Sequence, residues 1–343
     1  MFFTQRLFSG REPLPRHRTL MTSTSVVIPT YNGESHLRQT LESVFNQTVC
    51  PTEIIVSDDG SRDSTCGLVT SLAKGSPIPI RLVEGKENSG GSSRPLNLGI
   101  EVANGKYIVP LDHDDLMDKE RIALQVEALE TYPECTLAIG RFSVIGRQSN
   151  DLSELWPVSQ FEEFAHVFDE SKIFSVIERE IAFPPLLRRN YAASTSNLCF
   201  SKERWRELGG FNEKIFTCPD LDFMLRATLK GPIAVVHRQL FQYRISPGSL
   251  LRKDVTRSLL EATMVRLRAA SAEPALAGNE LEALRYSAMM LGTAVLRKGD
   301  FSGFHAMVET MVKHRGASTV RQTVRNKARR FRDSNSEPSG NSK

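Results

Sequence analysis

Tyr107-Ile108-Val109-Pro110-Leu111 runs directly into Asp112-His113-Asp114-Asp115. The apolar run reads as a buried strand, and the three carboxylates that follow mark the loop at its carboxyl end. Two upstream stretches repeat the pattern: Ile54-Ile55-Val56 leads to Asp58-Asp59, and Ser25-Val26-Val27-Ile28-Pro29 leads to Thr30-Tyr31-Asn32-Gly33. Between those two strands Leu37, Leu41, Val44 and Phe45 recur at helical spacing. Strand 53–57 then completes a βαβ crossover. A helix after Asp59-Gly60-Ser61, a strand near Ile80-Arg81-Leu82-Val83 and a helix from Pro95 to Ala103 continue the alternation into strand 107–111, which predicts an α/β fold with a mostly parallel sheet. In such a sheet ligands bind beyond the carboxyl ends of the strands, so both acidic clusters are expected to face one pocket. Crowded aspartates lose hydration and repel one another, which raises their pKa values unless a cation compensates. A divalent metal carrying a phosphorylated ligand is the simplest compensation.

Outward from this core, Ile122, Val126 and Leu129 mark a helix ending before Pro133, and Leu137 to Ile145 reads as a strand. The pattern weakens from 148 to 192, where Phe161, Phe164, Phe168 and Pro184-Pro185 suggest a helical lid or specificity insert, and acceptor contacts are expected from 141–200. It returns at Asn197-Leu198-Cys199-Phe200, Gly209-Gly210-Phe211, a helix over Leu221–Leu229 and an apolar run Ile233–Val236. Residues 256–312 are helical by period. The expected organisation is a disordered segment 1–22, a domain 23–252 made of a nucleotide-binding half (23–116) and an acceptor half (117–252), a C-terminal helical extension 253–312 and a basic tail 313–343.

The 343 residues are 40% apolar and 8% aromatic, sufficient for a sizeable core. No stretch approaches the roughly 18 apolar residues of a spanning helix, and the first 22 residues lack the core and cleavage site of a secretory signal. A start at Met21 would remove nothing the fold needs. Five scattered cysteines without metal-ligand spacing point to reduced thiols and a cytoplasmic protein. The ends are basic and the body between them acidic, a distribution that argues against a nucleic-acid channel. Within the tail, Val320, Val324, Ala328 and Phe331 are spaced helically among basic residues, so peripheral contact with an anionic membrane at its inner face is weighed equally against a solvated tail.

At this point the residues resemble the family 2 inverting glycosyltransferases with a GT-A fold. The matching pieces are Val27-Ile28-Pro29-Thr30-Tyr31-Asn32, Asp58-Asp59-Gly60-Ser61, Asn88-Ser89-Gly90-Gly91 through Asn97-Leu98-Gly99-Ile100, Leu111 to Asp115, Gly209-Gly210-Phe211 and Asp220-Leu221-Asp222. Six pieces in the family's order are far more specific than any one of them. The resemblance implies that Pro29, Thr30, Tyr31 and Glu34 line the nucleotide site and that Asp59 accepts the uracil N–H. It further implies donor contacts from Arg94 and Asn97, Asp112 near ribose and metal, Asp114 on Mn²⁺ or Mg²⁺ bridging the diphosphate, and Asp220 as catalytic base. The implied activity is transfer of one sugar from a nucleoside-diphosphate sugar, UDP above all, to a glycan, lipid-linked or protein acceptor. Hard carboxylate oxygens suit Mg²⁺ or Mn²⁺ better than zinc.

Four departures accompany the resemblance. Pro219 precedes Asp220 where the family has Glu, leaving Asp222 as an alternative base. Leu96 precedes Asn97, with the arginine displaced to Arg94. Ser246 stands for a histidine, and the Gln-x-x-Arg-Trp signature of processive synthases is absent. The residues also admit plainer readings: Asp58 to Ser61 as a turn, Asp115 as a cap of a helix starting near Met117, Asp222 as a cap or salt-bridge residue, His113 as structural, Trp205 and Phe211 as core. Rival functions are a non-catalytic nucleotide-binding scaffold and a metal-dependent phosphatase-type hydrolase with Asp112 as nucleophile.

Overall fold

Alternating strands and helices organise the computed structural model, which describes residues 22–146, 171–245, 255–281 and 284. β1 (Thr24–Thr30), α1 (Leu37–Phe45), β2 (Glu53–Asp58), α2 (Thr65–Ala73), β3 (Ile80–Glu84), α3 (Ser93–Val102) and β4 (Tyr107–Pro110) follow one another as the apolar periods predict. β1 pairs in parallel with β2 and β4, and β2 with β3, so the sheet order is β3-β2-β1-β4. All four strands end on the same edge. Both faces are covered: Val26, Ile28, Ile54, Val56 and Val109 pack with Leu37, Leu41 and Val44 of α1, while Val27, Ile55 and Ile108 pack with Leu96 and Ile100 of α3. Each fully buried aliphatic side chain contributes roughly 1.5–3 kcal/mol before entropy is counted.

The second half extends this sheet. β5 (Leu116–Met117), α4 (Arg121–Thr131), β6 (Ala138–Ile145), β7 (Phe174–Ile177), α5 (Arg179–Leu186), β8 (Phe200–Ser201), α6 (Lys202–Glu207), α7 (Pro219–Thr228) and β9 (Ile233–Arg244) follow, then α8 (Val255–Ala272) and α9 (Pro274–Ala277). β8 runs antiparallel to β4. Next to it Cys199 and Ala138 exchange backbone bonds of 3.0 and 2.8 Å, stitching on a second sheet in which β9 pairs with β6, β5 and β7.

Two expectations are corrected. The chain from 171 to 192 is not a lid: β7 pairs with β9, and Ile177, Ala182, Phe183, Leu186 and Tyr191 are buried. Pro184 and Pro185 lie in the last turn of α5, where each removes a backbone donor, and so masked a genuine helix. Near Met117 the chain is strand, with the helix starting at Arg121. Phe161, Phe164, Phe168, Ser246, residues 1–21, the helical reading of 285–312 and the basic tail lie outside the described residues. Among the described residues no helix is long and apolar enough to cross a membrane.

Arg121 is fully buried at the junction of the two sheets. Its guanidinium donates to the Pro110 carbonyl (2.9 Å), the Leu198 carbonyl (3.2 Å) and Gln125 Oε1 (3.0 Å). Gln125 in turn donates to the carbonyls of Ala138 (3.0 Å) and Asn197 (2.7 Å). Burial lowers the Arg121 pKa to about 10, and Asp115 and Asp112 pull it back up, so the side chain stays charged at neutral pH. Arg121→Leu should lower unfolding free energy by about 3 kcal/mol or more, because it orphans several buried acceptors at once; urea unfolding followed by circular dichroism measures this.

Candidate active site

The carboxyl edge of β1, β2 and β4 opens into a cavity of about 830 Å³. Its wall includes Pro29, Thr30, Tyr31, Asp59, Asp112, Asp114 and Asp220, brought together from four separate elements. Glu34, Arg94 and Asn97 are absent from that wall. Glu34 is exposed and accepts the Ser64 N–H at 2.9 Å, joining the β1 and β2 loops. Asn97 exchanges two 2.9 Å bonds with the Phe211 backbone and so holds the Gly209-Gly210-Phe211 turn against α3. Arg94 lies close enough for its charge to act on Asp59.

The paired aspartates divide their work. Asp58 accepts the Ser61 N–H at 2.8 Å and closes the turn after β2. Gly60 within that turn has φ +75°, and a Cβ there would lie 3.0 Å from the Glu87 backbone, so glycine is required. Asp59 faces the cavity. Its Oδ2 accepts the Ser89 N–H (2.8 Å) and Oγ–H (2.9 Å), yet burial holds its pKa above the usual carboxylate range.

Asp112 is gripped on both oxygens, by the Ser194 hydroxyl (2.7 Å) and the Thr195 hydroxyl (2.9 Å), while its N–H donates to Ser196 Oγ (2.8 Å). Asp115 is 1% exposed and accepts the Arg244 N–H at 2.8 Å. It therefore straps the acidic loop to β9 rather than capping a helix. Burial raises the pKa values of Asp112 and Asp115, with repulsion from Asp114 adding to both. Arg244 Nε donates to the Asp114 carbonyl at 2.7 Å. His36 and His113 also line the cavity, so folding places imidazoles beside carboxylates that are remote from His36 in sequence. Burial and then the Arg244 charge lower the His36 pKa.

Asp220 opens α7, where the helix N-terminus favours a carboxylate. It is 5% exposed, and Asn190 Nδ2 donates to its Oδ2 at 2.6 Å. Burial nevertheless raises its pKa to about 6. Asp222 lies off the cavity wall, its Oδ2 accepting two bonds from Arg226 (2.7 and 2.9 Å), which also donates to the Leu208 and Gly210 carbonyls. Asn190, Ser194 and Thr195 carry no sequence signal beyond a short run of small polar residues; only the fold reveals what they touch.

No group of three or more His, Cys, Asp and Glu side chains among the described residues is arranged to hold a metal alone. The oxygen set of Asp112 and Asp114 suits a hard cation that draws its remaining ligands from water and phosphate, as Mg²⁺ commonly does. Two carboxylates this close on one cavity wall place negative charge that such a cation would offset.

Residues 25–183 match the family model described as glycosyl transferase family 2. The chain carries a family 2 glycosyltransferase domain. An uncharacterized glycosyltransferase of Rickettsia conorii is 30% identical over 223 residues, covering 65% of this chain and 33% of that protein. Poly(ribitol-phosphate) β-N-acetylglucosaminyltransferase TarP of Staphylococcus aureus is 34% identical over 132 residues, 37% of this chain and 38% of that one. This chain spans about a third or less of the curated relatives it matches first. Among solved structures, Staphylococcus aureus TarS in complex with UDP-GlcNAc aligns with TM-score 0.64 at 17% identity, covering 85% of this chain and 80% of that one. Mannosyltransferase PcManGT from Pyrobaculum calidifontis in complex with GDP-Man and Mn²⁺ aligns with TM-score 0.52 at 17% identity, covering 90% and 80%. The fold is of GT-A type.

The unfolded Asp220 carboxyl ionises near 3.8 and the folded one near 6. The folded state thus keeps its proton longer and loses stability as pH rises through that window. Asp220→Asn should therefore be more stable than the native chain at pH 8 by about 1–3 kcal/mol and show little difference below pH 4. Unfolding midpoints across pH test the sign.

Proposed function

We propose that this protein transfers a single sugar, with inversion, from a nucleoside-diphosphate sugar to a hydroxyl on a glycan, lipid-linked or protein acceptor. The observation that carries the reading is the shared cavity of Asp59, Asp112, Asp114 and Asp220. Asp220 takes the proton of the acceptor hydroxyl as its oxygen attacks the anomeric carbon and the nucleoside diphosphate departs. A carboxylate with a pKa near 6 is largely ionised at neutral pH, yet basic enough to share that proton in the transition state. Asp59 Oδ1, to which no described residue donates, is available to a uracil N–H, and Tyr31 offers an exposed ring beside it. Asp112 and Asp114 would hold Mn²⁺ or Mg²⁺, which when bound offsets the charge of the departing diphosphate.

The uridine preference is supported by Asp59 and by the UDP and UDP-GlcNAc complexes of TarS, and the metal by the Mn²⁺ complex of PcManGT. UDP-GlcNAc is accordingly the first donor to try. The proposed setting is the cytoplasm, with the basic segment 313–343 resting on anionic lipid.

A panel of sugar nucleotides assayed for nucleoside diphosphate release with Mn²⁺, Mg²⁺ or chelator tests the reading. Asp114→Ala should lose activity and metal response together, and Asp220→Asn should keep donor binding while turnover falls by about 10²-fold or more. The acid limb of the kcat/KM profile should have its midpoint near pH 6. Nucleotide binding that survives Asp220→Asn, with no transfer by either protein, would favour the scaffold reading. Sedimentation with anionic liposomes at low salt should occur for the intact chain and be lost at high salt.

A further inference from the structure

Helix α8 lies outside the family match, yet it reaches the cavity wall. Leu260, Met264, Val265 and Leu267 bury it in the same core as Leu221 and Leu225 of α7. From it Glu261 Oε2 accepts the N–H of Phe216 (3.1 Å), the N–H of Thr217 (2.8 Å) and the Thr217 hydroxyl (2.6 Å). Phe216 and Thr217 both line the cavity. The loop is constrained from its other side as well, since a methyl group on Gly91 would come within 3.2 Å of Phe216 Cα. Three residues beyond Thr217 stands Asp220, in the first turn of α7. Arg266, farther along α8, is mostly buried behind it: its charge acts on Cys218 and Asp220, and among the described residues its Nε has no hydrogen-bond partner.

A carboxylate that accepts three bonds on one oxygen from two consecutive residues fixes backbone position more tightly than apolar contact does, because each bond is directional and charge-assisted. Loss of these bonds frees the segment that carries both the cavity wall and the entry to α7. We propose that Glu261 is a positioning residue, which clamps Phe216-Thr217 on the wall facing the Gly90-Gly91 loop and thereby sets where α7 presents Asp220. The role in turnover rests on the function proposed above; the clamp itself does not.

The test compares the full chain with Glu261→Ala, Glu261→Gln and, as a control on the same helix, Leu259→Ala at an exposed position. Hydrogen–deuterium exchange over 215–218, UDP affinity with Mn²⁺, and UDP release from UDP-GlcNAc with water as acceptor are measured on each. Glu261→Ala should speed exchange by about tenfold or more at those amides and slow UDP release by about tenfold, with UDP affinity held within about twofold. Glu261→Gln, whose amide oxygen accepts the same bonds, should stay within about threefold of the native chain in all three readouts, as should Leu259→Ala. Unchanged exchange in Glu261→Ala overturns the clamp; faster exchange with unchanged release overturns the positioning role; a Gln variant as impaired as Ala overturns hydrogen bonding as the cause. Should Glu261→Ala fail to fold, Thr217→Val removes the hydroxyl bond alone and is read by exchange in the same way. If the native chain binds UDP but releases none from any donor, the enzymatic reading falls, and the exchange result alone decides the clamp.

Discussion

A buried guanidinium governs this molecule. Arg121 joins the end of β4, the chain before β8 and, through Gln125, the start of β6, and it sits where Asp112 and Asp115 feel its charge. It reinforces the short β4–β8 pairing and the Ala138–Cys199 bridge that hold the two sheets in line. With it, the acidic loop has a fixed cation on its protein side. In the proposed reaction, a cation arriving with the substrate would meet a loop already held from that side.

The same economy recurs at every acidic pair around the cavity. Asp58 closes a turn while its neighbour Asp59 faces the ligand space. Asp115 ties β9 to the loop while Asp112 and Asp114 line the wall. Asp222 anchors Arg226, while among the described residues Asp220 has a single side-chain donor, Asn190. In each case the carboxylate spent on structure holds the other in place, and burial rather than any single neighbour keeps the cavity-facing members reluctant to ionise.

Strands 1, 2 and 4 and helix α1 were legible because period two and period 3.6 patterns are local. The acidic edge was legible for the same reason, as the carboxylates follow their strands directly. What escaped depends on partners far along the chain. β5 is two residues long and exists only because β9 lies beside it; α5 hides behind two prolines. Ser194, Thr195 and Asn190 meet their aspartates across 30 to 83 positions, and nothing in a run of small polar residues announces such a meeting. Glu34 and Asn97 show the converse. Their sequence context resembled ligand contacts, whereas the structure uses them to join loops.

The likeness to the family model stops at residue 183, while the hydroxyls that grip Asp112, the carboxylate at position 220 and the helix behind it all follow. The span of the family match and mechanical completeness are thus different boundaries here. A fragment cut to the former would shed the residues that hold the acidic rim of the cavity, much as a vice loses its grip when only the fixed jaw is retained.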